Sequence, residues 1–243
     1  SGIDQYFEAI RALQTYVIES QRERLNEIAN LMASTIAQHR RLFTFGTGHS
    51  HLLAEEGHFR AGGLAAVVPI LSAPLMLHES ALQSVQLEHT AGLAQPLLDR
   101  YQPRSGEMIF IFSNSGVNQV PVEMALTAKQ RGLIVIAVCS IKYARIAPLS
   151  LIGQRLIEIA DYTLDNGGEP GDSLIQIDDL PWHVGPSSTV IGALIWNCLT
   201  TEAAVQLQAQ GIDVPVYASN NMPGAREHNA HLLEIWQAGN PHL

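Results

Sequence analysis

The sequence predicts an α/β protein in which a parallel sheet is covered by helices on both faces and preceded by a helical arm. Three observations carry this. Short apolar runs recur after Arg41, separated by segments of helical periodicity. Two of those runs end in turns rich in glycine and hydroxyl residues, and Ile3 to Phe45 contains neither glycine nor proline. Runs that are apolar at every position, rather than at alternate ones, are buried on both faces, as in parallel sheets.

In chain order, apolar residues recur at helical spacing from Phe7, Ile10, Leu13 and Val17 to Leu25, Ile28, Leu31 and Met32. This predicts one long helix or two, with Ser20-Gln21-Arg22-Glu23 as a capping box at the junction. Such an arm, residues 1–40, packs on a partner subunit or covers its own sheet, and the pattern admits both. The first strand is Leu42–Phe45, ending at Gly46-Thr47-Gly48, and after a helix the second is Ala65–Ile70. Helical spacing then runs from His78 to Tyr101, stopped by Pro103 and Gly106. Met108–Phe112 is a strand, Val120–Arg131 a helix ended by Gly132, and Leu133–Val138 the fourth strand. Asp161–Asp165 is a short fifth strand, and Ser187–Leu207 one long, mostly apolar helix. The sheet domain therefore spans 41–210, and the tail, 211–243, ends in a helix near Glu227–Trp236 that completes the site or an interface. The loop Gly167–Pro186 and the tail are the segments placed to lie over a site made elsewhere.

Composition removes several functional classes. A hydrophobic fraction of 47% with 15% charged residues excludes a disordered chain. The longest apolar stretch, Leu64 to Leu77, holds two prolines and is too short to cross a bilayer. A net charge of −9 disfavours binding to nucleic-acid backbones. Lys129 and Lys142 are the only lysines, which leaves a Schiff-base mechanism little to work with. Cys139 and Cys198 sit far apart in apolar segments and read as buried free thiols, consistent with a reducing cytoplasm. No basic start followed by an apolar segment suggests export.

In open parallel sheets, ligands bind at the carboxyl ends of strands, where helix N-termini present free N–H groups. Two turns qualify: Gly46-Thr47-Gly48-His49-Ser50-His51 and Ser113-Asn114-Ser115-Gly116-Val117-Asn118. The first opens like a dinucleotide fingerprint, but His51 stands at its third glycine and the second strand ends without an acid for a ribose. Neither turn carries the Gly-Lys and hydroxyl residue of a P-loop. Hydroxyls, amides and helix N-termini suit a phosphate held without lysine.

The second turn, between an apolar strand and a helix, resembles the signature of the SIS (sugar isomerase) domain family. Gly46-Thr47-Gly48-His49-Ser50 is similar to that family's first loop, and Gly185-Pro186-Ser187-Ser188-Thr189 to its final serine- and threonine-rich helix start. The likeness runs from about Arg41 to Leu207 and is nearest to the branch around phosphoheptose isomerases and muramate-phosphate etherases. It implies a five-stranded parallel sheet sandwiched by helices, a phosphorylated sugar as ligand, and a homodimer or homotetramer. By the same resemblance Ser113, Ser115 and Asn118 hold the phosphate, with Ser50, Gly48 and Asn114 beside them. Ser113 and Ser115 can instead cap their helix, and Ser188 can cap its own or reach the ligand.

Aldose–ketose isomerisation needs a base at the carbon that loses its proton. Glu56 and Glu88 resemble the two glutamates of the etherases, although phosphoheptose isomerases place their base about one turn after Glu56, where Arg60 stands. His51 is a candidate for ring opening or proton shuttling. The histidines match the family's zinc pattern poorly, so neither metal nor cofactor is expected. The expected function is phosphosugar binding with aldose–ketose isomerisation. The alternatives are elimination on an acylated amino-sugar phosphate, through the same glutamate pair, or non-catalytic sensing of a phosphosugar.

Overall fold

A computed structural model describes residues 1–243. Five parallel strands form one sheet in the order β2-β1-β3-β4-β5: β1 Leu42–Gly46, β2 Val67–Pro69, β3 Met108–Phe112, β4 Ile134–Cys139 and β5 Tyr162–Asp165. Side chains alternate between the two faces. Leu42, Met108, Phe110 and Phe112 enter one core, and Phe43, Phe45, Ile109 and Ile111 enter the other. Both faces are covered, which is why the strands carry continuous apolar runs.

Helix α1, Gly2–Ala37, is a single helix without a break at Ser20, whose hydroxyl donates to the Tyr16 carbonyl one turn back. The predicted capping box is absent because Gln21 has another task. Its side-chain amide donates to the Asp165 carbonyl (2.6 Å) and accepts from the Asp165 N–H (2.7 Å), covering the open edge of β5 as a strand would. From Ile10 to Ile36 the apolar stripe is buried against α8, Ser188–Ala209, so most of it is covered within the same chain. Helix α8 is long and apolar enough to cross a membrane, but Ile191, Ile195, Trp196, Leu199, Ala203 and Leu207 are buried in the core.

The other face is covered by α3 (Ala81–Glu88), α4 (Ala94–Asp99), α5 (Gln119–Gln130) and α7 (Leu156–Ile159). The helix predicted from His78 to Tyr101 is split in two, with Gly92 in the left-handed conformation between the halves. Helix α2 is short, His51–Glu56, and two further short helices, α6 (Ile141–Ile146) and α7, carry too few residues for a periodic signal. The tail bridges Val216 to Leu64 near the β2 edge and ends in α9, Ala225–Trp236, which packs Leu232 and Trp236 into the α1/α8 core. Both cysteines are free, Cys139 fully buried and Cys198 half-buried.

Candidate functional site

Strand order turns between β1 and β3, because β1 leads outward to β2 while β3 leads to β4 and β5. The crevice beyond the carboxyl ends of β1 and β3 is where open α/β sheets take ligands, and both sequence-marked turns lie there. Phe45 and Gly46 pair in register with Ile111 and Phe112, so the two turns leave the sheet side by side. Gly46 is required for the tight first turn, since a Cβ there would meet the Ser50 carbonyl oxygen at 2.3 Å. Gly48 and Gly116 take positive φ, 55° and 61°, where side chains are disfavoured.

A cleft of about 360 Å³ opens over these turns, within the usual size for small-ligand sites. Gly48, Ser50, Ser113, Asn114, Ser115, Asn118 and Ser188 all line it, as does Glu88 from the end of α3. From Asn114 to Val120 no backbone N–H has an acceptor within the protein, and the Asn118 side chain does not cap α5. A run of N–H groups without protein acceptors thus leads into the start of a three-turn helix, where the peptide dipoles also favour negative charge. No lysine or arginine lines the cleft.

Glu88 is mostly shielded, its side chain 16% exposed, and its Oε2 accepts from the Thr47 hydroxyl at 2.9 Å. Glu56 is not brought to the cleft. It is the last residue of α2, ion-paired to Arg60 one turn on, and its Oε1 accepts from the Asn197 amide at 3.2 Å. His51 also lies outside the lining. It is buried, its Nε2 accepts from the Ser72 N–H, and its proton-bearing Nδ1 faces Glu55 at 3.3 Å. Burial holds its pKa below the ordinary histidine value, with Glu55 opposing that shift.

Sequence reasoning missed Asp172. Its Oδ1 accepts from the Ser187 and Ser188 N–H groups and its Oδ2 from the Ser188 hydroxyl, so this residue caps α8. Asp172 lines the cleft together with Gly171. The loop from Gly167 to Pro186 therefore does reach the site, whereas the tail does not. The cap comes from fifteen residues upstream of Ser187, beyond any local capping pattern. Thr47, His49, Ser84 and Tyr143 complete the polar lining.

A family model described as "SIS domain" matches residues 5–140. A UPF0309 protein of Brucella canis is 39% identical over 240 residues, 99% of this chain and 98% of that protein. A UPF0309 protein of Brucella ovis is 38% identical with the same coverage. Among solved structures, a phosphoheptose isomerase from Neisseria gonorrhoeae superposes with a TM-score of 0.55 at 14% identity, covering 85% of this chain and 97% of that one. One from Francisella tularensis gives 0.53 at 15% identity, covering 83% and 96%. At those identities the two structures establish the shared fold. The matched domain, with near-complete alignment to relatives of almost 40% identity, places this chain in the SIS domain family and in its UPF0309 group.

Proposed function

We propose that the chain binds a sugar or amino-sugar phosphate in this cleft and interconverts its aldose and ketose forms. The observation that carries the reading is the row of unpaired N–H groups from Asn114 to Val120, flanked by the hydroxyls of Ser113 and Ser115. Such a row holds a dianion by charge-assisted hydrogen bonds without a basic side chain. Solved relatives of the same fold include phosphoheptose isomerases, which agrees with a phosphosugar ligand.

Isomerisation moves one proton between adjacent carbons and a second between their oxygens; one carboxylate can remove and return the first, while a hydroxyl or water exchanges the second with the enediolate oxygens. Glu88 is that carboxylate in this proposal. The Thr47 hydroxyl holds its Oε2, and its Oε1, 3.9 Å from His89 Nε2, accepts no hydrogen bond within the protein. Ser50 and Ser188 also line the cleft and supply hydroxyls for substrate oxygens in this proposal, Ser188 as an acceptor because its own O–H donates to Asp172. Elimination through a glutamate pair is disfavoured, because Glu56 is engaged by Arg60 and Asn197 away from the cleft. The proposal includes a cytoplasmic homodimer or homotetramer that works without metal or nucleic acid, the last in keeping with the charge of −9.

The test is proton NMR of ketose and aldose phosphates incubated with the protein in heavy water. Exchange of the proton next to the carbonyl, together with appearance of the isomer, is expected for one member of a hexose, heptose and amino-sugar panel. Binding without exchange across the whole panel would leave a phosphosugar-binding protein and overturn the isomerase.

A further inference from the structure

A second and larger cleft, about 760 Å³, lies beside the amino ends of β1 and β3. It is enclosed by His39 and Arg41 between α1 and β1, by residues 100–104 before β3, and by the last residues of α9 and the segment that follows it to Pro241. Its lining includes Arg41, Arg100, Arg104 and His39 and not one carboxylate, on a chain whose net charge is −9.

The arginines divide by what already satisfies them. Arg41 is committed to the fold: its Nε and Nη2 donate to the fully buried Glu107, and its remaining N–H groups donate to the Tyr101, Gln102 and Gly239 carbonyls. Glu107 is saturated as well, since it also accepts from the Arg104 backbone N–H and guanidinium. One carboxylate thus neutralises one of two guanidinium groups. Arg104 keeps Nη1 free, and Arg100 has no acceptor in the protein, its guanidinium lying 5.8 Å from the Tyr101 ring centroid. Asp99, next to Arg100, is taken by Arg131.

Two features show that the wall is built rather than incidental. Asn240 is 5% exposed and lines the cleft, and its Oδ1 accepts from the His242 N–H while its Nδ2 has no partner. Such unpaired buried donors are rare. His39 and Gln102, both in the lining, hold left-handed backbone, φ 52° and 46°. The apolar part of the wall comes from Tyr101, Ile235, Ala238 and the exposed edge of Trp236, a residue only 7% exposed whose ring centroid is 5.8 Å from that of His39.

We propose that this cleft is a second ligand site, separate from the SIS cleft, for a small anion carrying a phosphate or carboxylate group. Arg100 and Arg104 neutralise the anion, and Trp236 packs against the remainder of the molecule. Arginine suits this role because its planar fork pairs with either oxyanion in two parallel hydrogen bonds.

The experiment follows the tryptophan indole N–H resonances of the full chain as inorganic phosphate is added in one arm and citrate in the other. Of the three tryptophans, Trp236 lies in this cleft, Trp196 in the core and Trp182 on an exposed loop. A saturable shift confined to Trp236 is expected at or below about 50 mM. Saturation by phosphate alone identifies a phosphate ligand, and by citrate alone a carboxylate. Arg100→Glu, whose native side chain has no acceptor to lose, should weaken the response at least roughly tenfold with unchanged circular dichroism. The Ser113→Ala/Ser115→Ala double variant should keep it. No saturable shift in either arm, a response spread over all three tryptophans, one indifferent to Arg100→Glu, or one lost with the two serines would each overturn the proposal.

Discussion

Glu88 and Glu56 separate the role of a carboxylate from its mere presence. Glu88 lies in the cleft with one oxygen held by Thr47, and Glu56 is tied to Arg60 and Asn197. Glu88→Gln should lower turnover about 10²-fold or more with affinity nearly preserved, because acid–base groups act in the transition state. Glu56→Gln should stay within about threefold of wild type, since an exposed one-turn pair contributes little. Steady-state kinetics on the two variants checks both. A second expectation concerns protons. Burial lowers the pKa values of His51, His58 and His242; Glu55 opposes this at His51 and His58, and Arg100 adds to it at His242. The unfolded chain then takes up protons that the folded chain refuses as pH falls below the ordinary histidine value of about 6.5. Stability should therefore fall with pH from that value through the lowered folded ones, and His51→Asn should flatten the slope of melting temperature against pH. Of these residues, the serine turns stand out in the sequence because they follow apolar strands directly, whereas Glu88 is marked there only by a family resemblance. Glu56 was misread because a helix only six residues long ends on it and turns it toward Arg60 and α8.

Elements were legible in proportion to how much of their signal is local. The buried strands β1, β3 and β4 announce themselves through apolar runs, whereas β2 is shorter than its run because Ala65 pairs its N–H with the tail, at the Pro215 carbonyl. The four- and six-residue helices α7 and α6 give no periodicity to detect, and the distant cap of α8 by Asp172 leaves no mark near Ser187. Contact between α2 and α8 is likewise a tertiary fact, and it is set by a glycine. A Cβ on Gly57 would lie 2.6 Å from the Trp196 indole, which is 1% exposed and packs edge-on to Phe110 at 5.1 Å. Gly57→Ala should cost about 1–3 kcal/mol by overpacking, which for a domain of this size lowers the melting temperature by roughly 2–4 °C per kcal/mol. Gly2→Ala, with nothing within 4 Å of its Cβ, is the control that should leave it unchanged. Thermal melts of the pair decide whether the indole can yield.

For the whole molecule, the sheet, its turns and the long covering helices assemble one polar cleft at the β1/β3 crevice from segments spread between Thr47 and Ser188. Outside it, the start of α1 leaves Ile3 and Phe7 exposed at 81% and 65%, and Trp182 is exposed at 81% on the loop that Tyr6 fastens through the Pro186 carbonyl. Burial of these exposed side chains between two copies predicts a homodimer or larger assembly in light scattering, and Phe7→Glu with Trp182→Glu should shift it toward monomer without loss of helicity. The central claim is phosphate recognition by the Asn114–Val120 donors and their flanking hydroxyls. Calorimetric titration of the wild type and of Ser113→Ala/Ser115→Ala with a panel of sugar phosphates and the matching free sugars tests it most directly. The account predicts that at least one sugar phosphate binds while its free sugar does not, and that the double variant loses at least roughly tenfold in affinity, as expected for two charge-assisted hydrogen bonds. Equal binding of phosphorylated and free sugar, or an affinity unchanged in the double variant, would contradict it.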